Sequence, residues 1–123
     1  MINKVFHKQL RHHDLDQNYL KSLIDDIFRG RSEFLGAKLY KIRAAREGGG
    51  KSGGFRNIFF WKKGELIIFC FLFPKNVQEN ISDREMKALR LLSREYSNLT
   101  VEEIKQEIEN KNFEIIDYEE HEH

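Results

Sequence analysis

Two periods of hydrophobic and polar positions run along the chain. Tyr19, Leu20, Leu23, Ile24, Ile27 and Phe28 recur at helical spacing, predicting a helix that opens at Asp14 or Asp16 and is stopped by Gly30. Over Lys38–Arg46 the period falls to two, with Tyr40, Ile42 and Ala44 on one face and Leu39, Lys41 and Arg43 on the other. Phe55–Trp61 and Leu66–Phe73 are almost wholly apolar, as strands buried on both faces are, and Lys62-Lys63-Gly64 supplies the hairpin turn between them. Ser82-Asp-Arg-Glu85 has capping-box spacing and opens a helix with Met86, Leu89, Leu92 and Tyr96 on one stripe. Thr100-Val-Glu-Glu103 repeats the signature before Ile104 and Ile108. Ile2–Phe6 reads as a strand, Phe6–His13 as a helical turn or loop, and Phe113–Ile116 as a returning strand or packed tail. A helix, three strands in hairpin succession and then helices predict an α+β fold with an antiparallel sheet.

The length of 123 residues suits one domain, expected over 1–116 with an acidic, frayed tail over 117–123. A single cysteine, Cys70, cannot form an internal disulfide and points to a reducing compartment. The longest apolar run, Leu66–Phe73, is far shorter than the ~20 residues a bilayer requires, so no membrane partner is expected. The net charge of +1 conceals an asymmetry: residues 1–75 carry 15 Lys and Arg against 7 acids, and residues 76–123 carry 6 against 13. Between 38 and 63 there are eight cations and one acid, Glu47, which is the local field a polyanion seeks.

That segment holds the loop Gly48-Gly-Gly-Lys51-Ser52-Gly-Gly54. It is no nucleotide P-loop, because Ala45 stands where the pattern needs glycine and a strand follows where a phosphate-binding helix would begin. Its flanks say more. Lys41 and Arg43 share a strand face, and Arg56 opens the next strand. If the strands pair, these cations meet in a patch roughly 10 Å wide, given a strand spacing of ~4.8 Å. Guanidinium and ammonium groups so gathered suit a phosphodiester transition state, where negative charge grows on oxygen. Other residues read more plainly. His12 and His13 could form an acid–base pair but read as surface side chains, His7 is open to the same two readings, His121 and His123 lie in the tail, and no carboxylate–histidine cluster forms a metal site. Cys70, Phe59, Phe60, Trp61 and Phe73 belong to the core. The five acids of residues 112–123 suggest a tail able to fold over the basic loop.

Lys41-Ile-Arg43-Ala-Ala-Arg46, Gly50-Lys51-Ser52-Gly-Gly-Phe-Arg56, the apolar hairpin, Phe73-Pro-Lys75-Asn76, Asn80-Ile81 and Glu85-x-Lys87-Ala-Leu89 together resemble RelE/HigB-type toxins of bacterial toxin–antitoxin systems. The resemblance implies a RelE-like α+β fold, a twisted antiparallel sheet (strands near 38–46, 55–61 and 65–73) flanked by N- and C-terminal helices. It implies a cytoplasmic, cofactor-free endoribonuclease that cleaves mRNA on the ribosome. It also implies a cognate antitoxin, commonly with a helix-turn-helix DNA-binding domain. Carried over by position, Lys41, Arg43, Arg56 and Lys75 are the catalytic candidates, and Arg46, Lys51 and Ser52 the RNA-binding ones. Relatives often have tyrosine-glycine where this chain has Phe71-Leu72, and alanine where it has Pro74, which should end its strand. A non-catalytic nucleic-acid-binding domain and a ParE-like gyrase inhibitor are the alternatives on the same fold.

Overall fold

The computed structural model describes residues 1–44 and 54–116. In chain order the elements are β1 (Ile2–Asn3), α1 (Lys4–His12), α2 (Gln17–Phe28), β2 (Glu33–Gly36), β3 (Leu39–Ala44), β4 (Phe55–Lys62), β5 (Leu66–Pro74), α3 (Asp83–Ser97), α4 (Val101–Glu109) and β6 (Phe113–Glu114). The strands form one sheet, ordered β2-β3-β4-β5-β1-β6. Its pairs are antiparallel except β1 with β5, which is parallel.

Local chemistry accounts for most boundaries. Asp16 caps α2, its Oδ1 accepting from the backbone of Asn18 at 3.0 Å and Tyr19 at 3.2 Å. Both capping boxes form, Ser82 with Glu85 and Thr100 with Glu103. The expected strand Ile2–Phe6 is only Ile2–Asn3, and the segment read as turn or loop is the helix α1. The Asn3 side chain accepts from Phe6 N at 2.9 Å, and buried Phe6 and Leu10 anchor the helix one turn apart. Pro74 ends β5, as a residue without a backbone donor should.

One hairpin arises without the usual turn residues. The strand expected from Lys38 starts at Leu39, because Ala37 and Lys38 form the two-residue connection from β2, both with positive φ (53° and 60°). Such connections normally select Asn or Gly. Here α3 holds the turn: Ser93 Oγ donates to Ala37 O, and Lys38 Nζ donates to Ser97 Oγ at 3.3 Å.

Each sheet face carries its own core. On one, Phe6, Leu10, Leu20, Leu23, Ile24 and Ile27 of α1 and α2 cover Ile42, Phe55, Phe59, Phe69 and Leu72. On the other, Leu89 and Tyr96 of α3 cover Leu39, Ile58, Phe60, Ile68, Cys70 and Phe73. Cys70 is the extra residue of a bulge, since Ile58 faces Phe71 while Phe59 faces Phe69. That shift in register brings Phe73 opposite Arg56.

Candidate functional site

The candidate face follows from strand alternation. Arg43 of β3 lies directly opposite Arg56 of β4, and Arg56 opposite Phe73 of β5. Lys41 sits two residues before Arg43, opposite Ile58. Lys41, Arg43 and Arg56 therefore share the α3-bearing face, as the two-residue spacing predicts, and they lie on adjacent strands. Lys75 follows the last residue of β5, and its backbone N–H donates to Gly54 O at 3.0 Å, fixing the backbone at the same end of the sheet. Arg46, Lys51 and Ser52 lie outside the described residues. The last described pair before that segment is Ala44 with Phe55.

The cations differ in their surroundings. Lys41 Nζ is 3.0 Å from Glu33 Oε2, a cross-strand ion pair to β2. Arg43 is exposed. Arg56 is only 8% exposed. Its affinity for a proton is lowered first by burial and then by the neighbouring Arg43, against a partial compensation from Glu79. Among the described residues, no carboxylate comes within 4 Å of Arg43 or Arg56, and neither guanidinium makes a hydrogen bond. Two like charges held side by side, one of them partly desolvated, repel each other, and an anion with several oxygens would relieve that repulsion.

The opposite face of β4 shows how this fold treats a polar side chain it needs for packing. Asn57 is 0% exposed. Tyr19 Oη donates to its Oδ1 at 2.7 Å, and its Nδ2 donates to Ile42 O at 3.3 Å. Burial pushes the Tyr19 phenol upward, partly offset by the Asn57 bond.

Cys70, Phe59, Phe60 and Phe73 fall in the core, as the sequence expects, whereas Trp61 and His13 are half-buried rather than core and surface residues respectively. Cys70 is 2% exposed, and burial pushes its thiol up to about 12, so it is a core residue. Phe59, Phe60 and Phe73 are buried, while Trp61 is half-buried with Lys63 Nζ 4.9 Å from its ring. His12 is exposed. His13 packs edge-on against Phe55 at 5.0 Å, beside a cavity of about 800 Å³ on the Asn57 side of the sheet. His7 Nδ1 lies 2.8 Å from Glu114 Oε2. His121, His123 and the proposed masking tail lie outside the described residues. Glu33 and Glu79 were not singled out by sequence. Glu33 escapes because β2 lacks a turn signal, and Glu79 because it acts from the connection between β5 and α3.

A sequence model of the family described as "RelE toxin of RelE / RelB toxin-antitoxin system" matches residues 1–116. No curated protein matches the chain. Among the described residues no helix is long and apolar enough to cross a membrane.

Proposed function

We propose, from the premise that the chain belongs to the RelE toxin family and so acts as a toxin with a cognate antitoxin, that it is a ribosome-dependent mRNA endoribonuclease. The observation that carries this reading is the Arg43–Arg56 pair, side by side on β3 and β4 without a carboxylate within 4 Å among the described residues. Such a pair gains most from an anion supplied from outside.

In this mechanism the RNA 2′-oxygen attacks the adjacent phosphorus, and the bond to the 5′-oxygen breaks in line. A cyclic 2′,3′-phosphate and a 5′-hydroxyl result. The 2′-hydroxyl proton goes to a base, and the departing 5′-oxygen takes one from an acid. Arg43 and Arg56 bind the phosphorane oxygens, where charge develops. Lys41, on the same face, and Lys75, whose backbone lies at the same end of the sheet, are the proton-transfer candidates. Arg46, Lys51 and Ser52 position the RNA backbone. The antitoxin carries a helix-turn-helix domain, and the toxin works in the bacterial cytoplasm.

Induced expression followed by mapping of RNA 5′ ends in translating ribosomes tests the proposal. Growth arrest with cuts inside codons is the expected result. Arrest with DNA damage and no cuts would replace it with gyrase inhibition, and absence of arrest with a non-catalytic nucleic-acid-binding role.

A further inference from the structure

The sheet face turned away from Arg43 and Arg56 carries a row of aromatic rings that the cleavage chemistry does not use. Phe34 of β2 pairs with Tyr40 of β3, Tyr40 pairs with Phe59 of β4, and Trp61 follows two residues later on the same side. The ring centroids of Phe34 and Tyr40 are 5.2 Å apart, and those of Tyr40 and Trp61 5.4 Å. Tyr40 lies stacked on buried Phe59 at 5.5 Å, which anchors the row to the core. Its outer rings stay open: Phe34 is 62% exposed, and Tyr40 and Trp61 are half-buried. Lys63, from the turn between β4 and β5, reaches over the row, its Nζ 4.9 Å from the Trp61 ring and 5.9 Å from that of Tyr40. Among the described residues no acidic group lies within 4 Å of Lys63, whereas Lys62 beside it is paired with Glu65 at 3.2 Å. A single exposed ring needs no explanation, but three adjacent rings crossed by an uncompensated cation form a surface of defined chemistry.

We infer that this row is a stacking platform for unpaired bases of a single-stranded RNA, with Lys63 taking a phosphate of the same strand. Every base offers a π-face to an aromatic ring, and each carries a phosphate within reach of a neighbouring cation. An apolar protein surface would cover the rings but leave Lys63 without a counter-charge. A second copy of the chain, seated about a two-fold axis, would set Lys63 against its own equivalent. Strand addition at this edge is poorly served too, because β2 has four residues and a register shift between Phe34 and Gly36. Trp61 lies five residues beyond Arg56 on β4 and on the opposite face, roughly 17 Å away at ordinary strand rise. The platform therefore holds a stretch of RNA other than the link being cleaved. The inference rests on the proposed function only for the choice of RNA as the polyanion, and on no step of cleavage.

Trp61 is the only tryptophan of the chain, so its fluorescence reports on the platform directly. The full chain is titrated with a twenty-nucleotide oligouridylate, and separately with the duplex that this strand forms with oligoadenylate. The expected result is saturable quenching by the single strand, with the duplex binding at least about tenfold more weakly because its bases are already stacked. Phe34→Ala, at an exposed position and with unchanged melting temperature, should raise the Kd about fivefold or more, and Lys63→Gln should weaken binding in the same direction. Quenching at saturation should persist in Arg56→Met. Equal quenching by the duplex, or a wild-type Kd in Phe34→Ala, would overturn the inference. Loss of all quenching in Arg56→Met would overturn it in favour of the arginine face as the source of the signal. A concentration-dependent dimer that Phe34→Ala abolishes, with no quenching by RNA, would overturn it in favour of a second copy as the occupant. None of these readouts depends on RNA cleavage, so failure here and failure of the nuclease proposal are separable.

Discussion

Arg56 and Asn57 are neighbours on one strand, both buried and both polar, yet they face opposite sides of the sheet and are treated in opposite ways. Towards α2, Asn57 has its donor and acceptor bound by Ile42 O and Tyr19 Oη. Towards α3, Arg56 has no such partner among the described residues and a second arginine beside it. A buried polar group kept for packing is satisfied internally, because an unmade hydrogen bond costs about 1–3 kcal/mol. A buried cation set against another cation does not improve packing. The contrast marks the α3 face as the one where a polar end is left to solvent rather than bonded inward, since among the described residues no fully buried side-chain N or O atom lacks a partner, and that outward end is what the proposed function uses.

Arg56→Ala and Arg43→Ala should each lower cleavage of ribosome-bound mRNA by about 10²–10³-fold, the usual loss when a donor to a developing oxyanion is removed. Single-turnover assays check this. Wild-type rates in either variant would remove that residue from the mechanism. Asn57→Leu should cost about 2 kcal/mol in urea unfolding, since it strands Tyr19 Oη and Ile42 O. A neutral result would erase the distinction between the two faces.

Acid should loosen the cover of the arginine face in particular. Burial raises the Glu85 carboxyl, but bonds from the Ser82 backbone, Gln78 and the Ser82 side chain outweigh it and hold the group below its ordinary 4.5. A carboxyl lowered on folding stabilises the native state above pH 4.5 and loses that contribution as pH falls through its lower folded value. Amide protection factors at the start of α3, corrected for the pH dependence of intrinsic exchange, should therefore fall as pH drops below 4.5, and Glu85→Gln should flatten the dependence. Smallest of all, Glu33→Gln should change stability by less than about 1 kcal/mol, because its ion pair with Lys41 lies largely at the surface. A clear change in cleavage rate in that variant would show that Glu33 sets the state of Lys41.

Much of this architecture was legible from periodicity. The alternation in β3 assigned Lys41 and Arg43 to one face, and the two capping boxes located α3 and α4. The strand β2 was not legible, because its hairpin uses Ala37-Lys38 with positive φ and depends on Ser93 and Ser97, far along the chain. The partner of Lys41 was hidden with it, since Glu33 lies on that strand. Helix α1 was blurred because its short polar sequence shows only two buried anchors, Phe6 and Leu10. The burial of Arg56 was also invisible, since sequence gives its strand face but not how closely its surroundings enclose it.

Arg56→Met tests the central claim most directly, with unfolding free energy and RNA cleavage measured on the same preparation. Methionine keeps an unbranched stem and removes the charge that Arg43 opposes. Stability should equal that of the wild type within about 1 kcal/mol, or exceed it, together with loss of cleavage. A variant destabilised by several kcal/mol that still cuts at the wild-type rate would show that Arg56 serves the fold rather than the RNA.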